Sequence, residues 1–283
     1  MRIVFATDLS DANEAAIRSR TCLECLKRIG VTDVHLVTVV PDNVSTGLPG
    51  MDIASDRQTA LRTQRETFES EGFDVETHVA RGTPHRRING FAERLHADMI
   101  VVGSRGQSPL ENRLIGSTAR NVARTAVRPL LIERIEKRDG THAVAKEHLF
   151  QHVLFPTDFS ENAARAFEFV PQLAGATQQA DLLHVRGREE RDTDVQQVRE
   201  RLSELADDLE TTMGIETGVN VRDGGVVDEI LAEESRVGAT VTVLGARGQS
   251  RLRRLLLGSV SESVIAQGHN NVLLIPPESA TAR

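Results

Sequence analysis

One fragment occurs twice in this chain and constrains the fold more than any other feature. Gly103-Ser104-Arg105-Gly106 is followed by nine residues and then Gly116-Ser117, and Gly245-Ala246-Arg247-Gly248 is followed by nine residues and then Gly258-Ser259. Between Gly103 and Ser117, nine of fifteen positions equal their partners at 245–259, so the match is a repeated unit rather than a shared turn. Each copy follows an apolar run (Met99 to Val102, Val241 to Leu244) and opens a helical pattern. A strand, a glycine loop and a helix N-terminus in that order place backbone N–H groups around a phosphate.

The repeat extends beyond the glycines, as internal repeats must if they are whole domains. Phe5-Ala6-Thr7-Asp8-Leu9-Ser10 returns as Phe155-Pro156-Thr157-Asp158-Phe159-Ser160 at an offset of 150, while Gly82 returns as Gly224 at an offset of 142. The first copy is therefore eight residues longer, and the extra length lies between its second strand and Gly82. Each copy alternates short Val/Ile/Leu-rich runs with helical patterns, which implies parallel strands buried on both faces. Strands are expected near 2–6, 33–39, 75–79, 98–102 and 129–132, and near 152–156, 181–185, 216–221, 240–244 and 271–275. Helices are expected near 11–29, 56–71, 84–96 and 117–126, and near 161–174, 194–212, 226–236 and 259–267. Ser10 and Ser160 stand where N-caps belong. The polar stretch 133–149 reads as connecting chain, with domains at 1–138 and 150–283 and a linker at 139–149. Residues 41–55, rich in Pro and Gly, read as a mobile loop that could close over a ligand.

In an open α/β sheet a ligand sits at the carboxyl ends of the strands where strand order reverses. If the first and fourth strands are neighbours, Asp8 faces the loop Gly103–Gly106 across one crevice, and Asp158 faces Gly245–Gly248. Glycine lets backbone approach an anion without a Cβ clash. Gly116-Ser117 and Gly258-Ser259 each start a helix whose positive end favours negative charge. Arg105 and Arg247 could neutralise it. Filling this space with Gly245→Val and Gly258→Val is expected to abolish binding in the second half. The G-x-x-x-x-G-K-[ST] loop and the dinucleotide fingerprint G-x-G-x-x-G after the first strand are both missing.

These residues are similar to a known set. The G-x2-G-x9-G-[ST] motif, the opening strand with Thr-Asp-x-Ser, the Leu182-Leu183-His184-Val185 strand and the closing Val272-Leu273-Leu274-Ile275 strand resemble the universal stress protein family, with the second copy the closer match. The resemblance covers both halves. It implies a tandem member of α/β class, with two doubly wound parallel five-stranded sheets of strand order 3-2-1-4-5. In nucleotide-binding members the motif holds phosphate and ribose, the early Asp contacts the nucleoside, and the end of the second strand contacts adenine through its backbone. Carried over, the positions are Asp8, Val39, Gly103, Arg105, Gly106, Gly116, Ser117 and Thr118. In the second copy they are Asp158, Val185, Gly245, Arg247, Gly248, Gly258, Ser259 and Val260. The implied ligand is ATP, or ADP or AMP, with Mg²⁺ carried by the phosphates. The family also pairs last strands between domains, so 129–132 could meet 271–275 within this chain, as an intramolecular pseudo-dimer or within a homodimer of tandem chains.

Other signals exclude or discount functions. The net charge of −7 and the absence of Trp and Tyr argue against a nucleic-acid binder, which needs a basic face and stacking rings. No apolar run is long enough for a membrane span, and the opening Met1-Arg2-Ile3-Val4-Phe5 reads as a strand, so a cytoplasmic location is the expectation. Cys22-x-x-Cys25 falls within the expected first helix and has no counterpart in the second copy, which favours structural cysteines over a redox or metal pair. The nine His are scattered along the chain, and no metal ligand is read from them. His184 reads as structural, and Arg251, Arg253 and Arg254 as a solvated face. Three readings follow: a nucleotide-binding stress regulator with unknown protein partners, a slow ATPase or autophosphorylating enzyme, and a scaffold with one nucleotide-free half. No residue can be defended as a catalytic base.

Overall fold

The computed structural model describes residues 1–42, 53–105, 115–187, 194–247 and 257–277. In the first half the strands are β1 (Arg2–Ala6), β2 (Asp33–Val40), β3 (Asp74–Arg81), β4 (Met99–Gly103) and β5 (Leu130–Glu133). Between them lie α1 (Asp11–Arg18), α2 (Arg20–Arg28), α3 (Ile53–Ser70), α4 (Pro84–Arg94) and α5 (Ser117–Thr125). A hairpin follows, β6 (Ile135–Arg138) and β7 (Thr141–Val144). The second half has β8 (His152–Pro156), β9 (Gln179–Arg186), β10 (Glu216–Asp223), β11 (Val241–Gly245) and β12 (Asn271–Ile275). Its helices are α6 (Glu161–Phe169), α7 (Val195–Met213), α8 (Val226–Val237) and α9 (Ser259–Gln267), with a 3₁₀ turn over Val170–Leu173.

Spatial order in the sheet is β10-β9-β8-β11-β12-β5-β4-β1-β2-β3. Each half is therefore a parallel sheet of order 3-2-1-4-5, as the family resemblance implied. The halves join where β12 runs antiparallel to β5, with Val272 opposite Ile132 and Leu274 opposite Leu130. The last strands thus pair within the chain, and a ten-stranded sheet results. Because strand side chains alternate between faces, Leu36 and Leu182 enter one core layer while Val37, Val39, Leu183 and Val185 face the other. Arg134, just after β5, is 3% exposed. Its backbone N–H donates to Asn271 Oδ1 at 2.8 Å, and its guanidinium donates to the Asn270 and Ile265 carbonyls. Burial, with Arg105 nearby, lowers its pKa to about 10.

Two expectations change. The polar stretch read as connecting chain contains the β6–β7 hairpin, with Ile135 opposite Val144 and Arg138 opposite Thr141. Its two-residue loop is Asp139-Gly140, both at positive φ (50° and 83°), the conformation that Asp-Gly hairpin loops favour. The first helix is also two helices, broken at Ser19. Ala12, Asn13, Ala16 and Ile17 are buried before the break, and Cys22, Leu23, Cys25 and Leu26 after it. In one continuous helix these stripes would lie about 130° apart at 3.6 residues per turn, so the break keeps both against the core. Cys22 consequently sits in the first turn of α2 rather than mid-helix. It remains a structural thiol. Ser19 Oγ donates to its sulfur at 3.1 Å and the sulfur donates to the Glu147 carbonyl at 3.2 Å, while burial pushes the thiol pKa up.

Candidate functional site

The parallel pairing of β1 with β4, Ala6 opposite Val102, brings the chain after Ala6 against the chain after Val102. Asp8 and Gly103 line one cavity of about 220 Å³. The turn after β1 is built from its own side chains. Thr7 Oγ1 accepts from Leu9 N at 3.1 Å, Asp8 Oδ1 from Ser10 N at 3.0 Å, and Ser10 Oγ from Asn13 N at 3.3 Å, which caps α1. These bonds hold Leu9 at φ 62°, a conformation rare for a branched side chain. The second half repeats the turn: Phe159 N to Thr157 Oγ1 at 3.0 Å, Ser160 N to Asp158 Oδ1 at 3.0 Å, Ala163 N to Ser160 Oγ at 3.2 Å, and Phe159 at φ 56°.

Opposite this turn, Gly116 is the N-cap of α5 and offers no side chain to the first turn. Its own N–H is spent on the Ser104 carbonyl at 2.7 Å. Ser117, Thr118 and Ala119, whose N–H groups have no intrahelical acceptor, line the same cavity. Gly258 caps α9 in the same way, its N–H bonded to the Ala246 carbonyl at 2.8 Å. Val39 contributes backbone. Thr7 N bonds to the Val37 carbonyl and Gly82 N to the Val40 carbonyl. In a parallel ladder successive residues point to opposite neighbours, so Val39 directs its N–H and C=O to the β1 side, past the end of β1. Val185 has the same placement, flanked by Thr157 N on Leu183 and Gly224 N on Arg186.

Gly103 and Gly245 serve packing as well as approach. A Cβ on Gly103 would lie 2.8 Å from Ile135 Cδ1, and one on Gly245 would lie 2.7 Å from the Asn162 backbone oxygen. Gly245→Val would therefore strike the start of α6 before it filled a ligand space, and it tests folding more than binding. Gly106, Gly248, Arg251, Arg253 and Arg254 lie outside the described residues, as do 43–52 of the loop read as a lid.

Residues without a repeat partner complete the first-half cavity and were invisible to a search for repeats. Asn13, in the first turn of α1, donates from Nδ2 to Asp8 Oδ1 at 2.7 Å and to the Arg105 carbonyl at 3.5 Å. It thereby ties the two glycine-side segments together. The second half has Ala163 in its place. Arg57, at the start of α3, donates to Thr38 Oγ1 at 3.0 Å and lines the cavity with Pro84 and Ile88 of α4. Two buried polar atoms at the rim, Arg105 Nε and Asn13 Oδ1, have no hydrogen-bond partner among the described residues. One is a cationic donor and the other an acceptor, which suits a ligand that carries both negative charge and hydroxyl or amino hydrogens.

In the second half the corresponding ends are closed by protein. Ser261 Oγ donates to the Gly245 carbonyl at 2.8 Å, where the first half has Ala119. Arg186, at the end of β9, pairs with Asp223 through Nε–Oδ1 at 2.7 Å and Nη2–Oδ2 at 2.8 Å. His184 is buried, its Nδ1 2.8 Å from the Thr157 carbonyl, and its ring stacks on Phe159. That is the structural role expected of it. The Arg201 guanidinium covers the same Phe159 ring at 3.9 Å.

The family model of the universal stress protein family matches residues 1–134 and again 149–276. The chain belongs to the universal stress protein family, as a tandem member. Among curated relatives, universal stress protein MJ0531 of Methanocaldococcus jannaschii is 30% identical over 146 residues, 49% of this chain and 84% of that protein. Universal stress protein G of Salmonella typhimurium is 32% identical over 140 residues, 46% of this chain and 93% of its own. Each therefore corresponds to about one half of this chain. A crystal structure of a universal stress protein from Archaeoglobus fulgidus covers 98% of both chains with a TM-score of 0.74 at 24% identity, so the two-half fold recurs there. Among the described residues, no helix is long and apolar enough to cross a membrane.

Proposed function

We propose that this universal stress protein binds an adenine nucleotide, with Mg²⁺ on its phosphates, and acts as a regulator whose conformation or partner binding depends on that nucleotide. The observation that carries the reading is the convergence of four features on one cavity. They are the uncapped N-terminus of α5, the buried Arg105 Nε, the Asn13 carbonyl and the free edge of Val39. Phosphates would take the N–H groups and hydroxyls of Ser117 and Thr118 with Arg105, and Gly103 and Gly106 belong to the same proposed cradle. The ribose would face Asp8 and Asn13, and adenine would lie along Val39 against Val37 and Ile88. Asp158, Val185, Gly245, Arg247, Gly248, Gly258, Ser259 and Val260 form the second, weaker cradle. The two binding units are 1–138 and 150–283.

Regulation is favoured over hydrolysis by the state of Asp8. It is the only carboxylate among the described cavity residues, and its Oδ1 already accepts from Ser10 N and Asn13 Nδ2. A group held this way is poorly placed to activate water or a hydroxyl. Denaturing freshly purified protein and separating the released small molecules tests the reading, since a chain without Trp or Tyr makes adenine absorbance easy to see. Bound ATP with little ADP supports a regulator. ADP accumulating over time on the protein points to the slow ATPase instead. No nucleotide, followed by no uptake of Mg-ATP, overturns nucleotide binding.

A further inference from the structure

The outer strands of the first half hold a second polar cluster that the cavity does not use. On the β2–β3 pair, His35 stands opposite Glu76, and Val37 opposite His78. His35, Glu76 and His78 therefore share one face. His35 Nδ1 lies 3.1 Å from His78 Nε2. Glu76 Oε2 lies 3.6 Å from the first nitrogen and 3.9 Å from the second. The in-plane point equidistant from these three atoms is about 2.1 Å from each, and a metal raised about 0.7 Å out of that plane, as a fourth tetrahedral ligand requires, would lie about 2.2 Å from each, close to the bond lengths of zinc to imidazole nitrogen and carboxylate oxygen. We propose that His35, Glu76 and His78 form a three-ligand Zn²⁺ site, with the fourth tetrahedral position open to water.

Hydrogen bonding explains only part of the arrangement. One proton between the rings satisfies the His35–His78 contact, but the carboxylate then stands beyond hydrogen-bond distance of either ring. A cation at the centre satisfies all three atoms at once. The rings are prepared for it. His78 packs on the Phe91 ring with centroids 4.9 Å apart, which fixes the plane of its imidazole. Arg2 and Arg94 add positive potential around the pair, which Asp33 and Glu76 oppose. Arg2 is engaged elsewhere, donating to the Leu95 carbonyl at 2.9 Å.

The second half shows how the same position looks when protein bonds close it. Asp181, Gly218 and Asn220 stand at the places of His35, Glu76 and His78 by strand register. Asp181 is 2.6 Å from His152 Nε2 and accepts from Asn220 Nδ2 at 3.1 Å, and Gly218 offers no ligand. The zinc site thus belongs to the first half alone, where a cation would tie the edge strand β3 to β2. Single-sequence reading missed it because the ligands lie on neighbouring parallel strands and not at i, i+4 on one helix.

The test is Zn²⁺ titrated alone into the full chain after chelator treatment, with Co²⁺ as an optical probe of tetrahedral coordination. Wild type is expected to retain one Zn²⁺ per chain, to gain melting temperature with it, and to show intense Co²⁺ bands. His78→Ala, a partly exposed position, is expected to lose all three responses while melting without metal like wild type, and Glu76→Gln to bind more weakly. Cys22→Ser with Cys25→Ser is expected to bind as wild type does. The proposal is overturned if wild type retains no Zn²⁺, if His78→Ala retains it fully, or if only the cysteine variant loses it.

Discussion

After the first strand of each half the chain makes the same turn, bond for bond, from Thr7 to Ser10 and from Thr157 to Ser160. Three residues later the halves part. The first places Asn13 across to Asp8 and the Arg105 carbonyl, and the second places Ala163. Around the first cavity two buried polar atoms have no partner among the described residues. At the second, Ser261 takes the Gly245 carbonyl and Asp223 takes Arg186. Duplicated backbone therefore preserves a cradle, while single side chains decide whether its polar groups await a ligand or are satisfied by protein. Buried polar groups without a partner cost stability, and this cost is what the proposed nucleotide would relieve at the first cavity.

The largest expected effect sharpens this contrast through stability. Glu133 pairs in register with Gly103 as Ile275 does with Gly245, so a carboxyl stands where the second half has an alkyl group. It is fully buried, and desolvation pushes its pKa up to about 7. A raised folded-state pKa means that the stabilising protonated form is complete below the ordinary carboxylate pKa and is lost as pH rises through about 7, a penalty of at most about 3 kcal/mol. Urea midpoints measured between about pH 5 and 8 should fall for wild type relative to Glu133→Gln, whose side chain cannot ionise. Parallel profiles for the two proteins would show that Glu133 does not titrate in this range.

Next in size are the arginines. Arg105→Ala should weaken nucleotide binding by about ten- to a hundredfold, the scale of a lost hydrogen bond to a charged group. Arg247→Ala should weaken binding by less. Equal losses measured by calorimetry would break the distinction between the halves. The smallest effect is an exchange. Asn13→Ala should cost about 1 kcal/mol, roughly fivefold in affinity, and Ala163→Asn should recover part of it at the second cradle. Equilibrium dialysis of the two variants distinguishes this from no change in either.

Most of the fold was legible because duplication checks every element against a second copy. The alternation of strands and helices follows from repeated residues, while strand order and the final-strand pairing came from the resemblance to the universal stress protein family, and the neighbouring β1 and β4 then bring Asp8, Gly116 and Ser117 to one crevice. What the repeat lacks was not legible. Asn13 has a different residue, Ala163, in its place, and Arg57 lies between the second strand and Gly82, where the repeat offset shifts. The hairpin at Ile135–Val144 belongs to neither copy, and its polar composition hid the Asp139-Gly140 turn signal. The break at Ser19 was hidden because Ser is tolerated within helices, and only the rotation of the buried stripe between Ile17 and Cys22 reveals it. The packing of Gly245 against the Asn162 backbone was not legible because sequence shows that a glycine is present but not which backbone lies against it.

The most direct test counts Mg-ATP bound per chain, by isothermal titration of nucleotide-free protein, in wild type and in Arg105→Ala. The account predicts one tight and one weaker site in wild type, with the tight site selectively lost in the variant. Binding that is absent from wild type, or unchanged by Arg105→Ala while Arg247→Ala removes the tight site, would contradict it.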